Sequence, residues 1–98
     1  MAPRSNPATP TVIHQPEHQR FVVSVEGQDS VLEYRRQGGD RVDFHHTLVP
    51  EALRGRGIAE ALVHAGFAWA RGEGLQIEAS CWYAARWLRR DPGVAGQR

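Results

Sequence analysis

Two groups of residues in this 98-residue chain have the types and spacing needed for chemistry, and the first is a loop rich in glycine and arginine. It reads Arg54-Gly55-Arg56-Gly57-Ile58-Ala59 and directly precedes a helix-like apolar stretch. The first turn of a helix leaves backbone N–H groups unpaired and carries partial positive charge, so it attracts anions. Glycines let a phosphate approach the backbone, and arginines add forked hydrogen bonds. The loop predicts a diphosphate site; the alternative interpretation is a tight turn between a strand and a helix.

Two common phosphate-binding motifs are excluded by residue identity. A P-loop requires Lys and then Ser or Thr after its last glycine, whereas Ile58 and Ala59 follow Gly57. A dinucleotide-binding fingerprint requires a third small residue where Glu60 stands, and the chain is too short for the two halves of that fold. The pattern that is left is Arg-x-x-Gly-x-Ala at the start of a predicted helix.

The second group is centred on Cys81, the only cysteine in the chain. A single cysteine cannot form an internal disulfide, so its thiol is available as a nucleophile or a proton donor. The alternative is a small buried apolar side chain. Tyr83 could also supply a proton, although an aromatic residue beside Trp82 is equally suited to a core.

Histidines and glutamates provide weaker candidates. His45 and His46 are adjacent on a predicted strand, so they point to opposite faces and cannot form one metal site by themselves. At most one of them faces a substrate, where it could act as a general base; the favoured alternative is a hydrogen-bonded structural histidine. Glu33 and Glu78 are further base candidates, with a solvated strand face as the alternative, and no metal is predicted.

Three runs with a period of two predict the strands that precede the loop. They cover residues 21–26, 31–34 and 41–49, with glycine-containing turns between them and Pro50 after the last. Simple alternation along the third run predicts two faces. One face carries Val42, Phe44, His46 and Leu48, and the other carries Asp43, His45, Thr47 and Val49.

The remaining pattern predicts two helices and one further strand. The spacing of Ile58, Leu62, Ala65 and Trp69 is that of one helical face, and the helix is expected to end at Gly72-Glu73-Gly74. Residues 75–79 predict a strand parallel to the third, because it is reached by a strand–helix–strand crossover. With a helix over residues 83–90, the expected class is α/β (α+β) in the order β-β-β-α-β-α. The sheet is mixed, mostly antiparallel and of about four strands.

The composition of the chain limits its domain organisation and its possible binding partners. Residues 1–19 contain four prolines among polar residues and predict a disordered tail, followed by a domain over residues 20–91 and a C-terminal tail over residues 92–98. A net charge of +1 argues against wholesale binding of nucleic acid. No apolar window suits a signal peptide or a membrane span, so we expect no membrane partner and a cytoplasmic location.

The loop and the cysteine together resemble a known family. The segment from Thr47 to Ala59, read with Cys81-Trp82-Tyr83, is similar to the short, YjdJ-like group of the GNAT superfamily of N-acetyltransferases. The resemblance spans residues 21–90 and implies a truncated GNAT fold that binds acetyl-CoA or coenzyme A without a metal. The pantetheine arm is then expected to pair with the backbone near Thr47 and Val49, with the thioester pointing toward Cys81. The pyrophosphate is expected on Arg54, Gly55, Arg56, Gly57, Ile58 and Ala59.

Two positions depart from the resemblance. Ala79-Ser80 stands where a proline is expected before the cysteine, and Asp91 stands where a histidine is expected after the last helix.

Three functions follow from these expectations. The first is an acetyl-CoA-dependent N-acetyltransferase acting on a small amine or a protein amino group, as a monomer or homodimer, with Cys81 and Tyr83 as catalytic candidates. The second is a coenzyme A-binding or acyl-sensing module with little or no turnover. The third, a nucleic-acid or protein adaptor, is suggested only by the arginines and tryptophans.

Overall fold

The protein folds as one five-stranded sheet with two helices, and the computed structural model describes residues 10–90. The strands lie in chain order, and all neighbours are antiparallel except the last pair. The mixed, mostly antiparallel α+β prediction is therefore confirmed, with one strand more than expected. The elements are β1 (Ile13–Gln15), β2 (Arg20–Val25), β3 (Gln28–Gln37), β4 (Arg41–Leu48), α1 (Ile58–Gly72), β5 (Gln76–Ala79) and α2 (Trp82–Arg90).

The additional strand, β1, lies in the stretch for which a disordered tail was predicted. It pairs with β2 and is followed by a single turn of 3-10 helix over Pro16–His18. The prediction of disorder is wrong for residues 13–18, and residues 1–9 lie outside the described part. Proline is tolerated at the start of the 3-10 turn because no backbone donor is needed there.

An aromatic cluster holds β1 against the rest of the fold. His14 stacks on Phe21 with ring centroids 4.1 Å apart, meets Trp69 of α1 edge-on at 4.9 Å, and shares a 2.8 Å hydrogen bond with the hydroxyl of Tyr34. Burial lowers the pKa of His14, although Glu17 and Glu73 act in the opposite direction. Burial likewise raises the pKa of Tyr34.

The pairing of β4 with β5 positions the site. The two strands are parallel, as the crossover through α1 predicted, and their register runs from Arg41 opposite Gln76 to Phe44 opposite Ala79. Beyond Phe44 the recorded ladder stops, while β4 continues to Leu48. The edge of β4 after Phe44 is therefore not covered by β5.

A β-bulge in β4 changes which residues share a face. Tyr34 lies opposite Phe44 and Leu32 lies opposite Thr47, so β4 has one residue more than β3 over this stretch. Because directly opposed residues lie on the same face, Thr47 shares the face of Phe44. The simple alternation predicted from the sequence is wrong beyond the bulge, and His46 lies on the other face, opposite Glu33.

Helix α1 packs closely on the sheet. A Cβ added to Gly66 would lie 2.9 Å from side-chain atoms of both Leu32 and Phe44, so the helix approaches the sheet at a position that has no side chain. The predicted apolar stripe is correct for its first two residues, but Ala65 and Trp69 are only partly buried. The residues of α1 that are buried are Ile58, Leu62, Val63, Gly66, Phe67 and Ala70.

Helix α2 packs mainly against β4 and β5 and reaches α1 through a ring contact. Trp87 meets His64 of α1 edge-on at 5.4 Å, and Ala84 is fully buried. The helix begins one residue before the predicted start, and Asp91 lies outside the described residues together with 92–98. Among the described helices, none is long and apolar enough to cross a membrane.

Candidate functional site

The loop between β4 and α1 contains two glycines in a left-handed backbone conformation. Gly55 and Gly57 have φ angles of +85° and +78°, in the left-handed region that glycine adopts without strain. A Cβ at either position would meet no described protein atom within 4 Å, so there is open space beside the loop. The glycines are therefore required for the backbone conformation, and they also leave room for a ligand.

The first turn of α1 presents backbone donors at this loop. Gly57 occupies the N-cap position, and among the described residues no side chain caps the helix. The first recorded backbone bond of the helix runs from the N–H of Ala61 to the carbonyl of Gly57, so the amides of residues 58–60 precede the helical ladder. Ile58 is 2% exposed, so only its backbone faces the loop, and its side chain belongs to the core.

The two arginines of the loop have partners within the protein. Arg56 forms an exposed 3.2 Å ion pair with Glu26, at the tip of the β2–β3 hairpin. Arg54 donates from Nε to the carbonyl oxygen of Val49 at 3.2 Å. Both side chains are exposed, so they are accessible to an anion, and Glu26 competes with that anion for Arg56.

A cavity of about 390 Å³ lies between the loop, the free edge of β4 and the residues that follow β5. It brings together two predicted catalytic residues, Cys81 and Tyr83, with predicted cofactor residues from β4 and the loop. The other predicted residues, Gly55, Arg56, Gly57 and Ile58, do not line it. The cofactor residues in its wall are Thr47, Val49, Arg54 and Ala59.

Cys81 is half-buried between strand β4 and the start of α2. Its Sγ lies 3.4 Å from Oγ1 of Thr47, and its backbone N–H donates to the carbonyl of Phe44 at 3.1 Å. The β-bulge makes the first of these contacts possible, because it turns Thr47 to the face of Phe44. A thiol in hydrogen-bond contact at the wall of a cavity is suited to accept an acyl group or to donate a proton.

Several further residues at this site were not predicted from the sequence. Leu48 and Trp82 line the cavity and are 49% and 70% exposed, so the opening carries apolar surface. Asp43 is buried and accepts two hydrogen bonds from Ser80, directly before Cys81. The adjacency of Ser80 to Cys81 was visible in the sequence, but the long-range contact with Asp43 was not.

The weaker sequence candidates lie away from this cavity. His45 is half-buried, His46 is exposed, and neither lines the cavity. Glu33 lies opposite His46 on β3, and Glu78 forms an exposed ion pair with Arg41. Within residues 10–90 no group of three or more potential ligands could hold a metal ion.

Comparison with known proteins assigns a family to this arrangement. The sequence profile of the GCN5-related N-acetyl-transferase family matches residues 20–96, which is most of the chain. The chain belongs to this family. The match begins at β2, so it includes the loop and the cysteine but not β1. The resemblance to the GNAT superfamily of N-acetyltransferases is confirmed.

Individual proteins and one solved structure extend the comparison. Protein NATD1 of Xenopus tropicalis and of Mus musculus are each 36% identical over 83 residues, which is 83% of this chain and 76% of theirs. The Homo sapiens protein of the same name has the same identity over 74% of its length. The solution structure of a GCN5-like protein from Staphylococcus aureus is 24% identical, with a TM-score of 0.68 over 87% of this chain and 83% of that one. That likeness shows the shared fold.

Proposed function

We propose that the chain is an acetyl-CoA-dependent N-acetyltransferase that acts on a small amine or a protein amino group. The observation that supports this most is the convergence on one cavity of a strand edge, a helix N-terminus and a thiol. Membership of the GCN5-related family supplies the general activity. The donor and the acceptor are the parts that we infer.

The residues fit coenzyme A at three successive points. The free first-turn amides of α1 and the left-handed loop suit a diphosphate, with Arg54 and Arg56 beside it. The edge of β4 beyond Phe44 is open to an extended chain with amide groups, such as pantetheine. The thiol of Cys81 then lies at the far end of that path, where the thioester belongs. Acetyl-CoA supplies the activated acetyl group when it is bound.

The transfer itself needs few groups from the protein. The amine nitrogen attacks the carbonyl carbon, a C–N bond forms, the C–S bond breaks, the nitrogen loses a proton and the thiolate gains one. In this proposal a backbone N–H near Val49 polarises the carbonyl oxygen. Cys81 or Tyr83 can donate the proton, or Cys81 can first accept the acetyl group and then pass it to the amine.

Titration calorimetry with acetyl-CoA and coenzyme A tests the loop. Gly57→Glu places a carboxylate beside the diphosphate site and should weaken binding at least about 100-fold, equivalent to about 2.8 kcal/mol. The matched control is Gly39→Glu, since Gly39 has a similar φ of +74° in the β3–β4 turn, at the other end of β4. Binding that survives Gly57→Glu, or that is lost equally in the control, contradicts the assignment.

Turnover separates an enzyme from a coenzyme A-binding or acyl-sensing module. Thiol release is measured with acetyl-CoA and a panel of monoamines, polyamines and peptides. A rate equal to spontaneous hydrolysis across the panel, with binding intact, favours the module. Mass spectrometry after incubation with acetyl-CoA alone detects acetylated Cys81, and unchanged turnover in Cys81→Ala removes the thiol from the mechanism.

A further inference from the structure

The carboxylate of Asp43 is buried next to the site and is not used by the chemistry described above. It lies on β4 and is 8% exposed. The cross-strand register places Arg35 of β3 and Glu78 of β5 opposite it. A buried carboxylate is costly unless its oxygens accept hydrogen bonds, so its partners indicate what it does.

Both oxygens of Asp43 are directed to a single residue. Oδ1 accepts the backbone N–H of Ser80 at 2.8 Å, and Oδ2 accepts the Ser80 hydroxyl at 2.7 Å. Ser80 is the residue between the end of β5 at Ala79 and Cys81. The carboxylate therefore fixes both the backbone and the side chain of the residue that leads to the thiol.

The same stretch of β4 holds Cys81 at two further points. The carbonyl of Phe44 accepts the backbone N–H of Cys81 at 3.1 Å, and Oγ1 of Thr47 contacts its Sγ at 3.4 Å. The recorded β4–β5 ladder ends at Phe44 opposite Ala79, and α2 begins at Trp82. The chain thus leaves the sheet and turns into a helix within two residues, and Asp43 carries two of the hydrogen bonds that fix this turn.

We propose that Asp43 is a positioning residue for Cys81, acting through Ser80. Its charge-assisted hydrogen bonds hold the turn so that the thiol faces Thr47 and the cavity. The part of this inference that concerns catalysis rests on the proposed function, whereas the part that concerns the geometry of the thiol does not.

The reaction rate of the single cysteine directly measures how accessible its thiol is. In the full chain, alkylation by iodoacetamide reports Cys81 alone. Asp43→Asn removes the charge while keeping the shape, and Ser80→Ala removes the hydroxyl. We expect Asp43→Asn to increase the second-order alkylation rate at least about fivefold, because loss of the charge weakens both hydrogen bonds to Ser80 and the loosened turn exposes the thiol. We expect the double variant to react no faster than Asp43→Asn, because both residues act through one contact.

A control and a second readout separate positioning from general destabilisation. Asp29→Asn is the matched control, since Asp29 accepts a comparable 2.6 Å bond from the Ser24 hydroxyl on the exposed β2–β3 hairpin. All rates are measured well below each variant's melting temperature. Amide hydrogen exchange should accelerate at Ser80 and Cys81 in Asp43→Asn while the β2–β3 amides keep their protection. If Asp43→Asn does not fold, the alkylation rate and the amide exchange are measured on Ser80→Ala instead.

Two results overturn the inference: an alkylation rate within twofold of the native chain, or exchange that accelerates equally throughout the sheet. The catalytic part predicts that Asp43→Asn lowers acetyl transfer at least about tenfold while the Kd for coenzyme A changes less than twofold. If the native chain does not bind coenzyme A, the proposed function fails, yet the alkylation and exchange results still decide the role of Asp43.

Discussion

At the scale of a single residue, the charge of Glu26 affects how the loop before α1 can bind an anion. Its 3.2 Å ion pair with Arg56 ties the tip of the β2–β3 hairpin to the loop before α1. The pair is exposed, so it adds little to stability, but it occupies an arginine that a diphosphate would use. The negative charge of Glu26 also lowers the positive potential of the loop.

Glu26→Gln should therefore raise the affinity for coenzyme A. We expect Kd to fall a few-fold at low salt, with the effect shrinking as ionic strength rises, because the charges are exposed. Titration calorimetry at two salt concentrations measures both values. The control is Glu78→Gln, which breaks the comparably exposed pair with Arg41 outside the cavity. An affinity that falls in Glu26→Gln contradicts this interpretation.

Ser30 is a second residue with a definite consequence. In the described part of the chain, its hydroxyl is fully buried and has no hydrogen-bond partner. Because burying an unpaired hydroxyl costs about 1–3 kcal/mol, Ser30→Ala should raise the free energy of unfolding by about 1 kcal/mol. Urea denaturation measures this free energy of unfolding. Ser24→Ala, which removes an exposed hydroxyl, should change it by less than about 0.5 kcal/mol. A loss of stability in Ser30→Ala would mean that the hydroxyl is satisfied in solution.

At the scale of elements, the contact between α1 and the sheet depends on Gly66. An added methyl group would lie 2.9 Å from Leu32 and from Phe44, and both side chains are fully buried, so either can shift only by displacing its own neighbours. The distance between helix and sheet also sets the position of the loop, because α1 begins at the loop. The packing of Gly66 therefore affects the position of the site from about two helical turns away.

Gly66→Ala should destabilise the fold by about 2 kcal/mol, although alanine is the better helix former. Gly72→Ala is the matched control: Gly72 is the last residue of α1, and a Cβ there meets no described atom within 4 Å. That variant should be neutral or more stable by up to about 1 kcal/mol. Thermal and urea unfolding measure both. Equal effects in the two variants would show that helix propensity, rather than packing, decides the outcome.

Local patterns predicted most of these elements but not all of them. The runs that became β2, β4 and α1 carry their periodicity within a few residues, so they could be identified from the sequence. Strand β1 has three residues, and its stability comes from His14 packing against three distant rings, which no local pattern shows. The bulge in β4 was missed for a related reason, since it depends on the pairing with β3.

The candidate site likewise has one part that the sequence could identify and one part that it could not. The glycine loop and Cys81 could be identified because their chemistry lies in residue type and spacing. The contacts of Thr47 and Asp43 with residues 80 and 81 join parts of the chain more than 30 residues apart. Such contacts follow from the register of β4 against its neighbours, and the bulge changed the faces that simple alternation predicted.

At the scale of the whole molecule, the fold is closed at one side by the aromatic cluster of His14. Its four rings come from β1, β2, β3 and α1, so one contact joins the first strand to both layers. A neutral imidazole suits this site, because burial lowers the pKa of His14 below its usual 6.5. Protonation of one side chain is thereby linked to the stability of the whole sheet.

The sign of this linkage gives a prediction for the pH dependence of unfolding. Well above pH 6.5 His14 is neutral in both the folded and the unfolded state, so its contribution to stability does not change with pH. As the pH falls below 6.5 the unfolded chain binds the proton first, so stability declines until the pH passes the lowered pKa of the folded state. Urea denaturation between pH 8 and pH 5 measures the decline, and His14→Gln should remove that part of the slope. His18 is an exposed histidine on the adjacent 3-10 turn. In the control variant His18→Gln the decline in stability at low pH should persist. A slope unchanged in His14→Gln would place the responsible group elsewhere and leave the cluster as packing alone.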